Sequence, residues 1–358
     1  MGTVRAAVLR NGQFTVEDLE LVVPPGAIEL EVAACGICGS DLRYAEGEDA
    51  WAAHTLGEPR TLPDAMVLGH EIAAWRHGPD GRQLVAVIPF FTCGRCEHCR
   101  SGRPNLCRFT VHHGHGQLSS AALLMFPGFA EKTCAFPFQL LPAAPGISPE
   151  ELTLLDGLAV AVHALKHARV SRGQSVAVFG AGPIGLSVVQ AARCLGCANV
   201  AAVDIDPAAI ARAEKLGASI AFLFSDDGIS ARLLGEARRG FDAVFDTTGS
   251  ADAQRLALDV LARGGTAVFM AGLASGLELK AADLAGEKQI TSSCNCMPED
   301  YIVGLQWMAS GAFNARALVT HVVPLENIET GFQLARNKSA TGACKVVVRP
   351  SANGSQAG

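Results

Sequence analysis

The chain has 358 residues, of which 49% are hydrophobic and 18% are charged, and its formal net charge is -6. This length and composition allow two domains with sizeable cores, and the negative charge argues against a nucleic-acid or polyanion partner. The N-terminus begins with a strand-like run, Val4–Leu9, where a signal peptide would have an apolar segment, and no apolar run reaches membrane-spanning length. Twelve cysteines without an export signal then favour a reducing cytoplasm, and we expect no membrane partner.

The first informative motif along the chain is a group of four cysteines, Cys93, Cys96, Cys99 and Cys107, in a polar and turn-forming stretch. Thiolates bind zinc tetrahedrally, and four sulfur ligands leave no position open for a substrate. Two disulfides or four ordinary buried thiols are the alternative, but such dense clustering on a turn-rich loop is rare outside metal sites. The motif therefore predicts a structural zinc that holds together a small lobe over residues 93–107.

Three histidines, His112, His113 and His115, follow this lobe and suggest a further metal site. Glycines alternate with them and favour a flexible scaffold. We therefore interpret the stretch as a solvated loop that borders a substrate site. Downstream, Ser148-Pro-Glu-Glu151 is a capping box and predicts the start of a helix.

The second informative region has the order strand, glycine turn and helix. Ser175–Phe179 reads as a buried strand, and an apolar helical run to Leu195 follows the turn. The first glycine allows a tight turn, the second lets the backbone approach a pyrophosphate, and the third lets helix and strand pack closely. The helix N-terminus offers free N–H groups to phosphates. The predicted cofactor-binding residues of this turn are Gly180, Gly182, Pro183, Ile184 and Gly185.

A second strand, Val200–Val203, ends in Asp204, where a carboxylate can hold both ribose hydroxyls of a dinucleotide. The same carboxylate would repel a 2′-phosphate, so NAD is favoured over NADP. Further strands at Ser219–Phe224, Phe241–Phe245 and Thr266–Met270 alternate with helices. This alternation predicts a doubly wound parallel sheet.

Further motifs are spread over nearly the whole chain. They are Gly36-Ile-Cys38-Gly-Ser40-Asp41, Gly69-His70-Glu71, Gly128-Phe-Ala-Glu131, and the return from Leu318 to Leu325 and from Lys345 to Val348. Together with the cysteine lobe and the glycine turn, they resemble those of the zinc-containing medium-chain dehydrogenases, the alcohol and polyol dehydrogenase group. The resemblance implies an α/β protein with a GroES-like β-rich catalytic domain over residues 1–159 and 299–358, around a Rossmann domain over 160–298.

The resemblance also implies a catalytic zinc with an open position for the substrate. Cys38 and His70 would be its first two ligands and Asp156 the third, while Glu71 would either ligate the metal directly or support it. Ser40 would take the proton of the alcohol. Zinc would polarise the alcohol, and its hydride would pass to the nicotinamide.

We therefore expect two zinc ions and NAD in a dehydrogenase that acts on a small alcohol or ketone and assembles as a dimer or tetramer. A polar segment, Glu46-Gly-Glu48-Asp49, and the histidine stretch favour a polyol, cyclitol or amino alcohol. One alternative is a zinc-free NADPH-dependent carbonyl or enoyl reductase. Another is a non-catalytic zinc- and dinucleotide-binding redox sensor. The complete ligand set and Asp204 oppose the first alternative. A missing ligand would favour the second, and we find none missing.

Arg43 and Lys345 bear on the proton relay and on cofactor binding. Several family members carry a histidine that ends a proton relay where this chain has Arg43, and arginine cannot shuttle protons at neutral pH. Another side chain, such as Glu46, or water must then finish the relay. Lys345 matches a basic family position near the cofactor pyrophosphate, where we expect it to bind, and an ordinary surface lysine is the alternative.

Overall fold

The computed structural model describes residues 3–58, 60–79, 81–115, 125–271 and 276–350. These described residues form two compact units, one made of those up to residue 156 and from residue 315 onward, and the other of those from 157 to 314. Within the described ranges, no helix combines the length and apolar composition that a membrane span requires.

The first unit is rich in short strands. Its elements are β1 (Thr3–Arg10), β2 (Gln13–Glu20), β3 (Ile28–Gly36), α1 (Gly39–Ala45), α2 (Ala50–Leu56), β4 (Ala65–Val67), β5 (Glu71–Gly78), β6 (Gly81–Val87), β7 (Phe90–Phe91), α3 (Glu97–Arg100), β8 (Val111–His112), β9 (Lys132–Ala135), β10 (Leu140–Pro142) and α4 (Pro149–Leu152). The predicted capping box forms at α4, where the hydroxyl of Ser148 accepts from the Glu151 N–H and the Glu151 carboxylate accepts from the Ser148 N–H. Helix α5 (Leu154–His167) then leads into the second unit.

The second unit alternates strands and helices. They are β11 (Ser175–Phe179), α6 (Pro183–Cys194), β12 (Asn199–Asp204), α7 (Pro207–Lys215), β13 (Ile220–Leu223), α8 (Ile229–Glu236), β14 (Phe241–Asp246), α9 (Ala251–Asp259), β15 (Leu261–Phe269), β16 (Gln289–Ser292) and α10 (Pro298–Ala309). The strands pair in parallel in the order β13-β12-β11-β14-β15-β16, which is the doubly wound arrangement predicted from the sequence.

The end of the chain returns to the first unit through β17 (Val319–Pro324), α11 (Ile328–Arg336), α12 (Lys338–Thr341) and β18 (Lys345–Arg349). The largest sheet of that unit has the strand order β10-β6-β5-β3-β18-β17, and β9 also pairs with β3. Strand β18 runs antiparallel beside β3, so the last strand of the chain lies next to one of the first. The core of this unit packs around Leu30, Leu68 and Phe332, which are almost fully buried.

The unit boundaries differ from the expected ones at residues 159 and 298. The second difference is larger, because helix α10 belongs to the second unit. Asp300 at the start of this helix is buried and accepts from Lys166 Nζ at 2.6 Å, and its other oxygen lies 3.0 Å from His163 Nδ1. These contacts hold α10 against α5, an interaction over a long sequence separation that a local pattern does not reveal.

We expect Asp300→Asn to destabilise the second unit by about 2 kcal/mol, because a buried carboxylate loses charge-assisted hydrogen bonds. Burial alone would raise the pKa of Asp300, but hydrogen bonds from His163 and Lys166 outweigh it and lower the pKa. The stabilisation should therefore be full above the ordinary carboxyl pKa, about 3.9, and be lost as pH falls through the folded-state value. Urea unfolding of wild type and variant at pH 7 and at progressively lower pH measures this.

The neighbouring exposed acid of the same helix provides the control, since Glu299→Gln removes a charge without a buried partner. Equal stability of Asp300→Asn and wild type at pH 7 would contradict the proposed role of the buried carboxylate.

Candidate active site

Two neighbouring strands bring three possible metal ligands together. Gly36 at the end of β3 pairs with Glu71 at the start of β5. Cys38 follows the first of these strands and His70 precedes the second, so strand register places a thiol, an imidazole and a carboxylate side by side. Their ligand atoms all lie within 4.8 Å of one another. His70 and Glu71 are buried, and Cys38 is partly buried.

Gly36 allows this approach because it has no side chain. A Cβ atom at Gly36 would lie 2.0 Å from Oε2 of Glu71. Any larger residue would therefore displace the carboxylate from the ligand group. A glycine is therefore required at position 36, because Glu71 on the opposite strand leaves no space for a side chain there.

The chemistry of this group fits a zinc ion with an open coordination position, since a thiolate, an imidazole and a carboxylate are common zinc ligands. Asp156 is also close, because its Oδ2 lies 3.8 Å from Nε2 of His70. It belongs to the first turn of α5 and its side chain is largely buried. Two carboxylates are thus available near His70, that of Glu71 within the ligand group and that of Asp156 beside Nε2.

Glu71 is also engaged by a buried lysine from the end of the chain. Lys345 Nζ donates to both carboxylate oxygens of Glu71, at 2.6 and 2.7 Å, and to the Ile37 carbonyl at 3.3 Å. Burial alone would lower the pKa of Lys345, but the charge of Glu71 outweighs it and raises the pKa. Lys345 is therefore charged and lies beside the candidate metal ligands. Its expected role at the pyrophosphate stays a prediction.

Asp41 joins the two loops that carry the ligands. Its carboxylate is fully buried and accepts from the N–H of Cys38 at 2.8 Å and from the N–H of Gly69 at 3.3 Å. Ser40 lies next to it in the first turn of α1, and its Oγ is buried without a hydrogen-bond partner among the described residues. A buried hydroxyl of this kind is available to a bound substrate or water.

Arg43 occupies the position of the missing histidine, and its side chain is used in an ion pair. Nε of Arg43 donates to Glu48 at 2.8 Å, and this pair is partly exposed. The Arg43 guanidinium lowers the pKa of Glu48. Among the described residues, the Arg43 side chain is thus used in an ion pair with Glu48, and this pairing requires no role in proton transfer.

The polar segment that suggested a polyol substrate is largely bonded to the protein itself. Glu48 pairs with Arg43, and Glu46 lies 3.5 Å from Arg336. Asp49 is buried, where it caps α2 and accepts from Tyr44 Oη at 2.9 Å. These acids stabilise the α1–α2 region, so they give less support to a polar substrate than the sequence suggested.

The interpretation of the histidine stretch as a solvated loop is wrong. His112, His113 and His115 are at most 8% exposed, and burial lowers the pKa of each, to about 3 for His113. His115 Nε2 lies 3.0 Å from Nδ1 of His70. Gly114 makes this approach possible, because a Cβ there would lie 2.1 Å from the carbonyl oxygen of Gly69. Gly114 therefore permits tight packing where the sequence suggested flexibility.

The four cysteines of the lobe form a second ligand group. All four are free thiols and their sulfur atoms lie within 4.8 Å of one another. Three of the sulfur pairs are 3.5, 3.6 and 4.0 Å apart: Cys96–Cys99, Cys93–Cys107 and Cys93–Cys99. Tetrahedral zinc with bonds of about 2.3 Å requires sulfur atoms about 3.8 Å apart. The lobe is therefore already arranged to fit a closed zinc site.

The pKa values of Cys93 and Cys107 in this lobe are shifted in opposite directions. Backbone N–H groups of Arg95 and Cys96 lower the pKa of Cys93 to about 6, while burial raises the pKa of Cys107 to about 11. Zinc binds thiolates, so metal uptake would release protons from the sulfurs that remain protonated.

The glycine turn joins β11 to α6. A Cβ at Gly185 would lie 1.7 Å from the Gly180 carbonyl oxygen, so helix and strand approach as closely as predicted. Gly180 has a φ of +92°, which favours glycine. A Cβ at Gly182 would meet nothing within 4 Å, so space is open in front of this backbone. Pro183 and Ile184 form the first turn of α6, and the turn fits a pyrophosphate at a helix N-terminus.

Asp204 ends β12 beside this turn. Its Oδ2 accepts from the Ala181 N–H at 2.6 Å, and its Oδ1 accepts from the Asp206 N–H at 2.9 Å. The carboxylate is thereby fixed at the carboxyl end of the parallel sheet, where ligands bind in open α/β sheets.

Sequence reasoning missed two contacts around the metal-ligand group, that of Lys345 with Glu71 and that of His115 with His70. Both join residues distant in sequence, so no spacing rule predicts them. The histidine stretch itself was a signal, but its glycines were interpreted as a sign of flexibility.

Family models match both parts of the chain. The alcohol dehydrogenase GroES-like domain matches residues 24–145, and the zinc-binding dehydrogenase domain matches residues 183–310. D-xylulose reductase A of Aspergillus oryzae is 32% identical over 321 residues, which are 85% of this chain and 84% of the relative.

Solved structures agree with this assignment. An oxidoreductase/dehydrogenase of unknown specificity from Escherichia coli has a TM-score of 0.87 and 25% identity, and the match covers 98% of this chain and 99% of that one. The 2R,3R-butanediol dehydrogenase of Bacillus subtilis has a TM-score of 0.83 and 26% identity over 97% of this chain and 100% of that one. The predicted α/β fold class and the predicted family are thus confirmed. The chain belongs to the zinc-containing medium-chain dehydrogenases and is a zinc-dependent oxidoreductase.

Proposed function

We propose that this protein oxidises a secondary alcohol group of a polyol, with NAD as the preferred hydride acceptor, and catalyses the reverse reduction of a ketone. The observation that carries the proposal is the convergence of Cys38, His70 and Glu71 within 4.8 Å. The similarity to a D-xylulose reductase and to a 2R,3R-butanediol dehydrogenase supports a substrate with more than one oxygen function.

We assign one zinc ion to Cys38 and His70, with a carboxylate from Asp156 or Glu71, and a second to Cys93, Cys96, Cys99 and Cys107. When bound, the first zinc supplies Lewis acidity and the nicotinamide accepts the hydride. Lys345 neutralises Glu71 and fixes its orientation. Ser40 Oγ is the buried hydroxyl that receives the proton of the substrate alcohol, which water passes on since Arg43 is paired with Glu48. A cytoplasmic location and a homo-oligomeric state stay predictions from the sequence.

The proposal predicts that the purified protein contains two zinc ions per chain and reduces NAD when polyols are supplied. Cys38→Ala should lose alcohol oxidation, because it removes a ligand of the first zinc. It should retain the other zinc, because the four-cysteine lobe is unchanged. Elemental analysis and a substrate panel of polyols, cyclitols, amino alcohols and simple aliphatic alcohols measure both effects.

Cys194→Ala is a matched control, since this partly buried thiol lies outside both ligand groups. A zinc content near one that Cys38→Ala leaves unchanged would refute the catalytic site. A clear preference for aliphatic alcohols over every polyol would refute the substrate class.

We predict different effects for two glycines of the turn. Gly182→Ala should fold normally and bind NAD at least about tenfold more weakly, because its methyl would enter the open space where the pyrophosphate would lie. Gly185→Ala should reduce stability by about 1–3 kcal/mol, because its methyl would overlap the Gly180 carbonyl. Calorimetric titration with NAD and thermal unfolding separate these two effects. Normal NAD affinity of Gly182→Ala would argue against pyrophosphate binding at this turn.

The proposal assigns cofactor preference to Asp204. Asp204→Asn removes the charge that repels a 2′-phosphate and retains an oxygen to accept a backbone N–H, so kcat/KM for NADP relative to NAD should rise roughly tenfold. Asp206→Asn is the control, because it removes an equal charge two residues away from Asp204, on a side chain that caps α7. Faster turnover of wild type with NADP than with NAD would show that Asp204 is misassigned.

A further inference from the structure

We propose that Thr247 is a positioning residue for Asp204, the acid to which the proposed function assigns cofactor preference. Its hydroxyl holds the Gly180–Ala181 peptide of the glycine turn, and that peptide in turn holds the Asp204 carboxylate. The buried Asp246 fixes the loop that carries Thr247. The inference rests on the proposed binding of NAD at this turn and is independent of the zinc sites and of the alcohol substrate.

The sheet topology brings Thr247 to the turn. Strands β11 and β14 pair in parallel, with Phe179 opposite Asp246, so the segments that follow the two strands leave the same edge of the sheet side by side. The helix after β11 leads to β12 on one side, whereas β14 lies on the other side. Ligands of open α/β sheets bind at such a switch point in the strand order. The segment after β14 therefore borders the proposed dinucleotide site.

Thr247 contacts both the end of β11 and the start of the turn. Its N–H donates to the Phe179 carbonyl at 2.9 Å. Its hydroxyl oxygen lies 3.1 Å from the same carbonyl oxygen and 3.2 Å from the carbonyl oxygen of Gly180. Gly180 leaves room for this contact, because a Cβ there would overlap Thr247 Oγ1. The hydroxyl proton therefore lies between two carbonyl groups, one of which belongs to the turn.

The Gly180–Ala181 peptide is held at both ends. Its carbonyl oxygen accepts from the Thr247 hydroxyl, and its N–H, which belongs to Ala181, donates to Oδ2 of Asp204 at 2.6 Å. A trans peptide is planar, and its C=O and N–H point in opposite directions, so rotation of this unit would weaken both hydrogen bonds together. The Thr247 hydroxyl thus sets the direction of the N–H that orients the Asp204 carboxylate.

Asp246 fixes the loop around Thr247. Its carboxylate is fully buried and accepts four hydrogen bonds. Oδ1 accepts from the N–H and the hydroxyl of Thr248, at 2.9 and 2.6 Å. Oδ2 accepts from the N–H of Gly249 at 3.2 Å and from Nε2 of Gln254 on α9 at 2.9 Å. Because the buried carboxylate binds both residues that follow Thr247, the backbone on either side of Thr247 is held in place.

The orientation of Asp204 matters for cofactor affinity. Its Oδ1 accepts from the Asp206 N–H at 2.9 Å, and its Oδ2 depends on the Ala181 N–H. Without the second hydrogen bond the carboxylate can rotate, and binding of a ribose would then have to order it, which lowers affinity. The Thr247 hydroxyl therefore acts on NAD affinity through Asp204.

Calorimetric titration with NAD tests the hydroxyl. Thr247→Val removes the donor but keeps the shape of the side chain, so it should fold and bind NAD about three- to tenfold more weakly. Thr247→Ser keeps the hydroxyl and should bind NAD within about twofold of wild type. In the zinc-loaded enzyme, Thr247→Val should raise KM for NAD and change kcat little. Wild-type NAD affinity of Thr247→Val, or an equal loss in Thr247→Ser, would overturn the inference.

Two acids of β14 form a matched pair for the role of the buried carboxylate. Asp246→Asn places an amide where an oxygen accepts hydrogen bonds, so NAD should bind about tenfold more weakly or worse. Asp242→Asn removes the same charge at the other end of the strand, where Asp242 accepts from the N–H and the hydroxyl of Ser175 at 2.8 and 3.0 Å. This control should bind NAD like wild type, even where thermal unfolding shows that it is less stable. An equal loss of NAD affinity in both variants would contradict the role of Asp246.

A double-mutant cycle measures the coupling between Thr247 and Asp204, and it needs no variant of the buried Asp246. If Thr247 acts through Asp204, the loss of NAD affinity caused by Thr247→Val should be at least about twofold smaller in the Asp204→Asn background than in wild type. Additive effects of the two substitutions would overturn the inference. Failure of wild type to bind NAD would instead refute the proposed cofactor, and the inference with it, whereas normal NAD binding with additive effects would refute the inference alone.

Discussion

The candidate active site depends on one buried ion pair, between Lys345 on β18 and Glu71 on β5. The two residues are 274 positions apart, and both are almost completely buried. Removing one partner of such a pair leaves an uncompensated buried charge and usually costs about 3–5 kcal/mol. The pair therefore requires the last strand to lie beside β3, which in turn lies beside β5. The Lys345–Glu71 contact thus joins the N-terminal and C-terminal parts of the first unit, and it also orients Glu71, a possible metal ligand.

Close backbone contact is the second constraint around this group. Gly36 leaves room for the Glu71 carboxylate, and Gly114 leaves room for the His70 loop. In both cases the missing side chain makes space for a residue on another element. These glycines are therefore as important for the site as the side chains that carry the chemistry, although they contribute no ligand atom.

The two candidate sites, one in each unit, differ in how they are built. In the second unit, one strand, one turn and one helix form the proposed phosphate site, and the next strand brings Asp204 close to it. In the first unit, the ligand group draws on β3, β5, β18 and the segment around His115. Packing density in protein interiors is high, so small changes on any of these elements would be transmitted to the ligands.

The sequence by itself determined the features that depend on short spacings. The four cysteines, the Gly180–Gly185 turn, the capping box at Ser148 and the alternation of strands and helices each lie within a short segment, and local chemistry decides their structure. Tertiary structure alone decided that Lys345 meets Glu71, that α10 belongs with α5, and that His115 is buried against His70. The physical reason is that strand pairing and helix packing bring these residues together across long separations, where neither periodicity nor composition carries information about the partner.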